Sequence, residues 1–396
     1  MRGHIHKRGK NSWAVVVDIG RDEDGKRRQR WQTFKTEGEA EAALTEVLGK
    51  LAVDEYVAPS KATVGEYLRK TWLPHLDDQV EAGKLRPSTV SQYRTLTEAH
   101  IIPRLGTVKL RSLNAVHLDN LYAELRRNGR RAPRRNQSPG LSESSIRAVH
   151  ITVSKALSHA VKKGVLAKNV AKNAETPAAH AAEQTPWTAE ELAKFVETTQ
   201  SDRLYPAWLL ALTTGLRRGE LAGLRWSDLN LDEGTLTVSV ARVVVGYKVV
   251  DSTPKTPKSR RTIALAPAVV ETLKGHRTRQ KAECLKWGRT WAEDGLLLVR
   301  EDGQPYHPQY LTQSFQRAAK RAGVPVLPLH STRHNHATNG LRAGVDLLTM
   351  SRRLGHSSVA ITGDIYSHLV EELDQEAANR TADLVLLPGK PTADLG

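Results

Sequence analysis

The sequence predicts a mainly helical protein of the α+β class that is divided into several domains. Apolar residues recur at helical spacing over most of the chain, whereas Val- and Ile-rich strand patterns are confined to short regions. A chain of 396 residues is long enough for two or three domains that each bury a core. We therefore expect a small N-terminal three-stranded sheet with one helix, then a four-helix domain, and then a mixed, mostly helical domain with a small antiparallel sheet.

The sheet and its helix are expected within residues 1–58. A strand at 13–19 and a returning strand at 26–34 are separated by a turn that contains Asp and Gly. Thr36 and Glu39 have the spacing of a capping box, and apolar residues at helical spacing follow them. The returning strand makes the sheet the basic face of this domain, because it carries Arg27, Arg28 and Arg30.

The four helices are expected within residues 62–172. Thr63 and Glu66 offer a second capping box, and the second helix is expected to end before Pro103. The segment 126–135, between the last two helices, holds six arginines and no acidic residue, which predicts a mobile basic loop. The fourth helix carries basic residues that suit phosphate contacts, namely Lys155, Lys162 and Lys163.

The last domain is expected to span residues 187–386. An Ala-, Thr- and Pro-containing linker at 174–186 precedes it, and a loose tail at 387–396 follows it. Helical patterns fill most of the domain, and strands are expected near 235–245 and 261–265.

Composition narrows the function. Lys and Arg number 59 against 43 Asp and Glu, a formal net charge of +16, and a chain this basic usually binds a polyanion such as nucleic acid. A merely soluble basic protein is the alternative. The single cysteine excludes an intrachain disulfide and fits a reducing compartment. We see no signal peptide and no apolar run that could span a membrane, so we expect a soluble protein inside the cell.

The first motif that carries chemistry is Thr-Gly-Leu-Arg-Arg-Gly-Glu-Leu at 214–221. Gly215 can turn the backbone after one helix, and Arg217 and Glu220 lie three residues apart, on one face of a following helix. An arginine that a carboxylate holds in place suits recognition of two phosphate oxygens. The alternative is an ordinary surface ion pair.

The second motif is His-Ser-Thr-Arg at 330–333. A second arginine allows the two non-bridging oxygens of a phosphodiester to be bracketed, and histidine can move a proton near neutral pH. A metal site of His330, His334 and His336 is the rival interpretation. We do not predict it, because no third-ligand motif such as His-Glu-x-x-His accompanies these residues.

The third motif is Leu-Gly-His at 354–356, which is followed by Ile-Tyr-Ser-His at 365–368. A lone tyrosine in a C-terminal helix is usually a packing residue, so the case for Tyr366 depends on the other motifs. Taken in order, the motifs resemble the catalytic motifs of the tyrosine recombinase, or phage integrase, family. Each is weak alone, but their order and the spacing from His356 to Tyr366 make the resemblance specific.

The resemblance covers essentially the whole chain. It implies an arm-site-binding domain at 1–58, a core-binding domain at 62–172 and a catalytic domain at 187–386. It also implies an enzyme that binds double-stranded DNA attachment sites as a homotetramer, with a directionality factor or a host DNA-bending protein as a further partner. The expected location is the bacterial cytoplasm, on DNA. We expect the two larger domains to clamp the duplex.

A role for each matched residue follows from the resemblance. Arg217 and Arg333 would hold the scissile phosphate, and Tyr366 would attack it to leave a 3′-phosphotyrosine and a free 5′-hydroxyl. The remaining catalytic matches are His330 and His356, which would assist by proton transfer or hydrogen bonds to the phosphate, and Lys255, which would be the general acid for the leaving oxygen.

Two assignments are less direct. Lys258 is the alternative to Lys255 as general acid, and Glu220 matches an acidic position that we interpret as structural support. Ser331 and Thr332 stand where Asp and Leu are frequent in the family. Because a phosphotyrosine conserves the energy of the broken phosphodiester, we expect no ATP. The arginines would supply the positive charge at the phosphate, so we expect no metal, and we expect no other cofactor.

Two other functions use the same fold. A DNA-binding protein of this fold that has lost cleavage would need none of the catalytic residues, yet all the expected residue types are present. A type IB topoisomerase would share the phosphotyrosine chemistry. The N-terminal arm-like domain favours recombination, because a topoisomerase needs no second DNA site.

Overall fold

The computed structural model describes residues 3–21, 27–52, 61–133, 137–178, 185–252, 260–356, 358–360, 363, 378–379, 381–382 and 385–386. The chain divides into two compact units, Met1–Ala181 and Ala182–Gly396. In the part of the chain that is described, no helix combines the length and apolar character needed to span a membrane.

The first unit begins with an antiparallel three-stranded sheet, as predicted. Its strands, in the order β1-β2-β3, are β1 (Gly3–Gly9), β2 (Ser12–Arg21) and β3 (Arg27–Phe34). Helix α1 (Glu37–Ala52) follows, and Thr36 and Glu39 exchange the two hydrogen bonds of a capping box. Val15 and Val17 point from β2 onto Ala40 of α1, so one face of the sheet packs against the helix.

Helices form the rest of the first unit. Two of the predicted helices are each built from three consecutive segments with a π-helical turn in the middle. Their bounds are α2 (Val64–Tyr67), a π turn (Leu68–Trp72) and α3 (Leu73–Glu81), then α4 (Pro87–Leu96), a π turn (Thr97–Ile101) and α5 (Ile102–Leu105). The longer helices that follow are α6 (Ala115–Asn128) and α7 (Glu143–Lys162).

The expectation that the second helix ends before Pro103 is wrong. The π turn ends with the amide of Ile102 bonded to the carbonyl of Thr97, and Pro103 then occupies the first turn of α5. Proline is tolerated there because its missing N–H would have no partner within the new turn. The helix therefore continues past the proline to Leu105.

Two arginines of the arginine-rich segment 126–135, which begins within α6, make defined contacts with the protein. Arg126 is still in α6 and pairs with Glu143, with 2.6 Å between Nε and Oε1. Arg130 donates from its amide to Pro139 and from Nε to the carbonyl of Gly140, both at 2.8 Å. The prediction of a mobile loop is therefore wrong for these two arginines, while residues 134–136 lie outside the described part.

The second unit is a mostly helical assembly around small sheets. Its helices are α8 (Ala189–Thr199), α9 (Tyr205–Thr214), α10 (Arg218–Gly223), α11 (Pro267–Lys286), α12 (Pro308–Ala322), α13 (Ser331–Arg342) and α14 (Leu347–Leu354). Its strands are β4 (Leu229–Asn230), β5 (Thr235–Val238), β6 (Ala241–Val245), β7 (Lys248–Ser252) and β8 (Arg261–Ala264).

The strands of this unit form two antiparallel sheets. One has the order β4-β5-β8, and the other is the hairpin β6-β7. The predicted strand at 235–245 is therefore two strands in different sheets, and β7 was not predicted. Gly246, with φ of +62°, makes the tight turn that pairs Val245 with Lys248. The fold class predicted from the sequence is confirmed.

Buried aromatic rings anchor the second unit. Trp187 packs on Phe195 and Phe315, with ring centroids 4.9 and 5.5 Å apart, and all three side chains are at most 1% exposed. The amide of Trp187 donates to Oδ1 of Asn335 in α13 at 3.2 Å. The core thus holds α13, which carries one of the predicted motifs, against the start of the unit.

Candidate active site

Gly215 ends α9 and sets the direction of the chain that follows. Its φ is +63°, a conformation that favours glycine. A Cβ there would also lie 2.8 Å from Leu354 and 2.9 Å from His336, both on neighbouring helices. The glycine therefore lets the end of α9 pack closely against α13 and α14.

Arg217 caps α10, which begins directly after it. Its amide donates to Oε2 of Glu220 and its Nη1 donates to Oε1, both at 2.9 Å. The Glu220 side chain is only 9% exposed, so this is not an ordinary surface ion pair, whereas 40% of the Arg217 side chain remains exposed. The carboxylate thus fixes the backbone and the guanidinium of Arg217 and leaves the rest of that side chain open.

Arg261, which the sequence analysis did not select, completes this contact. Its Nη1 and Nη2 donate to Oε1 and Oε2 of Glu220 at 3.2 and 2.9 Å. Burial by itself raises the pKa of Glu220, but the hydrogen bonds and charge of Arg261, and then those of Arg217, outweigh it and hold the pKa below its usual value. Glu220 is therefore ionised at neutral pH.

Arg333 lies on α13, is 5% exposed, and is held by two helix ends. Nη1 donates to the carbonyl of Gly215 at 2.9 Å, and Nη2 donates to the carbonyl of Leu354 at 2.5 Å. These carbonyls lie at the C-termini of α9 and α14, where the helix dipole favours a cation. In these two contacts Arg333 is thus fixed by backbone carbonyl oxygens from two helix ends.

The two histidines lie within the field of both arginines. His330 directly precedes α13, and His356 follows Gly355, the left-handed residue that ends α14. The pKa of His330 is lowered mainly because its ring loses contact with water, although the residue as a whole is exposed, and secondly by the charges of Arg333 and Arg217. The same causes lower the pKa of His356 to about 4. Both rings are therefore expected to be neutral at pH 7.

These contacts bring Arg217, His330, Arg333 and His356 together at the ends of α9, α13 and α14. Nη2 of Arg217 reaches within 3.5 Å of the carbonyl of Gly355, beside His356. Two fixed cations and two neutral imidazoles can bind a phosphodiester anion and exchange protons with it. Lys255, Lys258 and Tyr366 lie outside the described residues.

The residues between His330 and Arg333 are satisfied within the protein. Thr332 is 1% exposed and donates to the carbonyl of Leu329 at 2.7 Å. Ser331 is also buried. Their departure from the family pattern therefore does not disturb the start of α13. Among the described residues, no group of three or more His, Cys, Asp or Glu is arranged to hold a metal ion.

The predicted DNA contacts lie in the first unit. Lys155, Lys162 and Lys163 are exposed on α7 or directly after it. Arg27, Arg28 and Arg30 belong to β3, but their side chains are outside the described part.

The sequence predicted that the N-terminal sheet is the basic face of its domain, but it did not single out His6, Arg8 and Trp31, which lie on the face of the sheet opposite α1. His6 lies 5.6 Å from the ring of Trp31, and Arg8 lies over the same ring at 5.8 Å. Trp31 remains 56% exposed. The alternation of β1 and β3 could have identified this face, because every second residue of a strand shares a face.

Comparisons with known proteins agree with the fold and the motifs. Residues 185–372 match the phage integrase family, and residues 4–51 match an arm DNA-binding domain. The chain is 30% identical to a XerC-like tyrosine recombinase of Caldanaerobacter subterraneus, over 96% of this chain and 98% of that protein. It is 28% identical to an integrase of Streptomyces ambofaciens, over 92% of each chain.

Solved structures show the same fold. An integrase of the Tn1549 transposon in complex with a circular intermediate DNA has a TM-score of 0.65 at 20% identity, over 81% of this chain and 99% of that one. A lambda integrase tetramer bound to a Holliday junction has a TM-score of 0.56 at 17% identity, over 91% and 94%.

Fold and sequence relationship together define a DNA strand-transfer enzyme. The chain belongs to the tyrosine recombinase, or phage integrase, family, whose members cut and rejoin DNA strands. The resemblance inferred from the order of the motifs is thus confirmed.

Proposed function

We propose that this enzyme is a site-specific recombinase that integrates or excises a phage or another mobile element through a 3′-phosphotyrosine intermediate. Relatives over most of the chain include integrases of Streptomyces ambofaciens and of Mycobacterium phage L5. An arm-type domain at the N-terminus supports action at a second class of DNA site. We assign the activity to DNA in the bacterial cytoplasm.

The observation that carries the proposal is the pairing of two differently held arginines. Arg333 is buried and fixed by two backbone carbonyls, whereas Arg217 is partly exposed and fixed by Glu220. Both are preorganised before substrate binds, so they can stabilise charge that grows on the two non-bridging oxygens without reorganising. We therefore assign Arg217 and Arg333 to the scissile phosphate.

Tyr366 is the proposed nucleophile. Its phenolic oxygen forms a bond to phosphorus, and the bond from phosphorus to the 5′-oxygen breaks. A free tyrosine has a pKa of about 10, so the phenol needs a proton acceptor and cationic neighbours. His330 and His356 fit the first requirement because both imidazoles are neutral at pH 7, and the arginines fit the second.

The leaving 5′-oxygen needs a proton, and Lys255 is the proposed donor, with Lys258 as the alternative. The attack reverses when the 5′-hydroxyl of another strand displaces Tyr366. Each bond broken is replaced by one of the same kind, so no external energy source enters the proposal. General acid–base help of this kind is typically worth ~10²–10⁴-fold in rate.

The remaining domains are proposed to hold DNA. We assign arm sites to residues 1–58, through the β3 arginines Arg27, Arg28 and Arg30 and the open face of the sheet. We assign core-site phosphates to residues 62–172, through the exposed lysines Lys155 and Lys162 of α7 and Lys163 directly after it. Exchange of four strands requires four nucleophiles, which leads us to propose a homotetramer on two sites, assisted by a directionality factor or a DNA-bending protein.

A plasmid assay tests the proposed function. One plasmid carries the element junction and the matching host site, and a second plasmid carries neither. The proposal predicts rearrangement of the first plasmid by the full chain, none by Tyr366→Phe, and no relaxation of the second. Relaxation of both plasmids without rearrangement would instead assign a topoisomerase, and binding without either reaction would assign a silent DNA-binding protein.

A further inference from the structure

Arg261 is held by contacts within the protein through all three nitrogens of its guanidinium. Its side chain is 6% exposed. Besides the two bonds to Glu220, its Nε donates to the carbonyl of Arg353 at 2.6 Å. Each of the three guanidinium nitrogens therefore donates to a protein oxygen, and burial leaves little of this side chain open to an external phosphate.

Glu220 is shared between two guanidiniums that differ in exposure. The carboxylate receives two bonds from the buried Arg261 and a side-chain bond from Arg217, whose side chain is 40% exposed. A buried carboxylate needs a compensating partner, and removing one partner from such a group is costly. If Arg217 had to compensate Glu220 alone, the pair would be neutral at the point where the phosphate is expected.

We propose that Arg261 is a positioning residue that compensates the charge of Glu220 and thereby leaves the charge of Arg217 for the phosphate. The three groups then carry one net positive charge, located on the exposed guanidinium. This inference rests on the proposed function, because it gives Arg261 a purpose in phosphate recognition rather than in stability alone.

Arg261 also joins the strand after the lysine-bearing segment to the end of α14. The segment 253–259 lies outside the described part, but β8 begins at Arg261, two residues further on. A Cβ on Gly355 would lie 2.9 Å from Cδ of Arg261. The side chain of Arg261 therefore packs against Gly355, the residue that directly precedes His356. The side chain of Arg261 thus connects β8 both to Glu220, which holds Arg217, and to the end of α14, which precedes His356.

The proposal makes a distinctive prediction about pH. The charged and titratable groups that face Glu220 are Arg217, Arg261 and His330, which directly precedes α13, while His356 faces Arg261. In Arg261→Met the buried carboxylate keeps only Arg217 as a close cation, so its pKa rises. As the pH falls, Glu220 takes up a proton and no longer neutralises the charge of Arg217, so the defect of the variant should shrink.

The experiment measures the rate at which the full chain forms a covalent adduct with nicked attachment-site DNA. Between about pH 8.5 and about pH 6, we expect Arg261→Met to be slowed roughly 10- to 100-fold at the alkaline end and much less at the acidic end, relative to the wild type at each pH. The double variant Glu220→Gln, Arg261→Met should be faster than Arg261→Met at the alkaline end and should lose the pH dependence of the defect, because no carboxylate is left to compensate.

Arg203→Met is the matched control. Arg203 also makes a two-bond pair with a glutamate, Glu283, at 2.6 and 2.7 Å, and lies partly buried in the same unit. Its loss should lower the melting temperature without changing the adduct rate. If Arg261→Met does not fold, Arg261→Lys carries the test, since it keeps the charge and should show a small defect that does not vary with pH.

Three outcomes are distinguishable. No adduct with the wild type would overturn the proposed function itself. A wild-type adduct, together with a defect of Arg261→Met that is constant with pH and is not relieved by Glu220→Gln, would overturn the role of Arg261 and leave it a structural residue. A defect equal to that of Arg203→Met at equal loss of stability would do the same.

Discussion

Arg333 donates to the carbonyl oxygen of Gly215 at 2.9 Å, across 118 positions of the sequence. This bond links the motif that holds Arg217 to the motif that holds His330. Because a second carbonyl, from Leu354, binds the same guanidinium, three motifs that are separate in the chain meet at one buried cation.

Replacing that cation should abolish cleavage. Arg333→Ala removes one phosphate ligand and leaves two helix-end carbonyls without their donor, so we expect adduct formation to fall at least ~10³-fold. Arg317→Ala, which removes an exposed arginine from α12, is the control for net charge. Equal rates for the two variants would contradict the assigned role.

Gly215→Ala should damage the site through close packing as well as backbone strain. A non-glycine residue at positive φ costs about 1–2 kcal/mol, and here the new Cβ would also press on Leu354 and His336. Gly288→Ala is the matched control, because its φ is +62° but nothing lies within 4 Å of the new Cβ. Unfolding in urea should show a larger loss of stability for Gly215→Ala than for Gly288→Ala. A cleavage assay should show loss of activity for Gly215→Ala alone. Similar losses would mean that the close approach at Gly215 is unimportant.

Acid should destabilise the second unit through buried histidines. Burial lowers the pKa of His276 to about 4, with a hydrogen bond from its ring to the carbonyl of Leu297 partly opposing the shift. In the unfolded chain His276 takes up a proton as the pH falls below its ordinary pKa of 6.5, whereas in the folded chain it does not until the pH approaches 4. The contribution of His276 to stability is therefore fully present above pH 6.5 and is lost as the pH falls toward 4. At about 1.4 kcal/mol per pKa unit, His276 accounts for roughly 3 kcal/mol.

Equilibrium unfolding across that pH range tests the assignment. His276→Gln can still donate to Leu297 but does not titrate, so its stability should vary less with pH than that of the wild type. An unchanged slope in His276→Gln would refute the buried-histidine explanation.

The general acid can be identified by changing the leaving atom. We expect Lys255→Ala to slow cleavage of ordinary DNA by ~10²–10⁴-fold, because the alkoxide leaves without a proton. A substrate with sulfur in place of the bridging 5′-oxygen releases a thiolate that needs no proton, so it should restore the rate. Lys258→Ala should behave like the wild type on both substrates. Rescue of Lys258→Ala instead would transfer the assignment to that residue.

The open face of the N-terminal sheet should affect binding at arm sites and not cleavage. Trp31→Ala removes the exposed ring that His6 and Arg8 contact, and we expect about a 10-fold loss of affinity for DNA that contains arm sites. Trp287→Ala removes a similarly exposed ring from the second unit and is the control. Equal affinities for both variants would mean that this face does not bind DNA.

Features with a local signal could be predicted from the sequence. The spacing of Thr63 and Glu66, and of Thr36 and Glu39, predicts helix starts that the structure confirms as capping boxes. The continuation of a helix through Pro103 could not be foreseen, because it depends on a π turn that the propensities do not encode.

Long-range contacts explain what else was missed. Arg261 contacts Glu220 across 41 positions, and nothing in the run of basic residues before β8 distinguishes it from Arg260. Arg217 and Arg333 were chosen from motif order, and their opposite modes of fixation, by a carboxylate and by carbonyls, became visible only in three dimensions.

Covalent trapping tests the central claim most directly. The full chain and its Tyr366→Phe variant are incubated with nicked DNA that carries the element–host junction, and the products are separated on a denaturing gel. We predict an adduct in which the 3′-phosphate is linked to the protein and which Tyr366→Phe does not form. DNA that is bound at the junction by both proteins, with no adduct from either, would contradict the account.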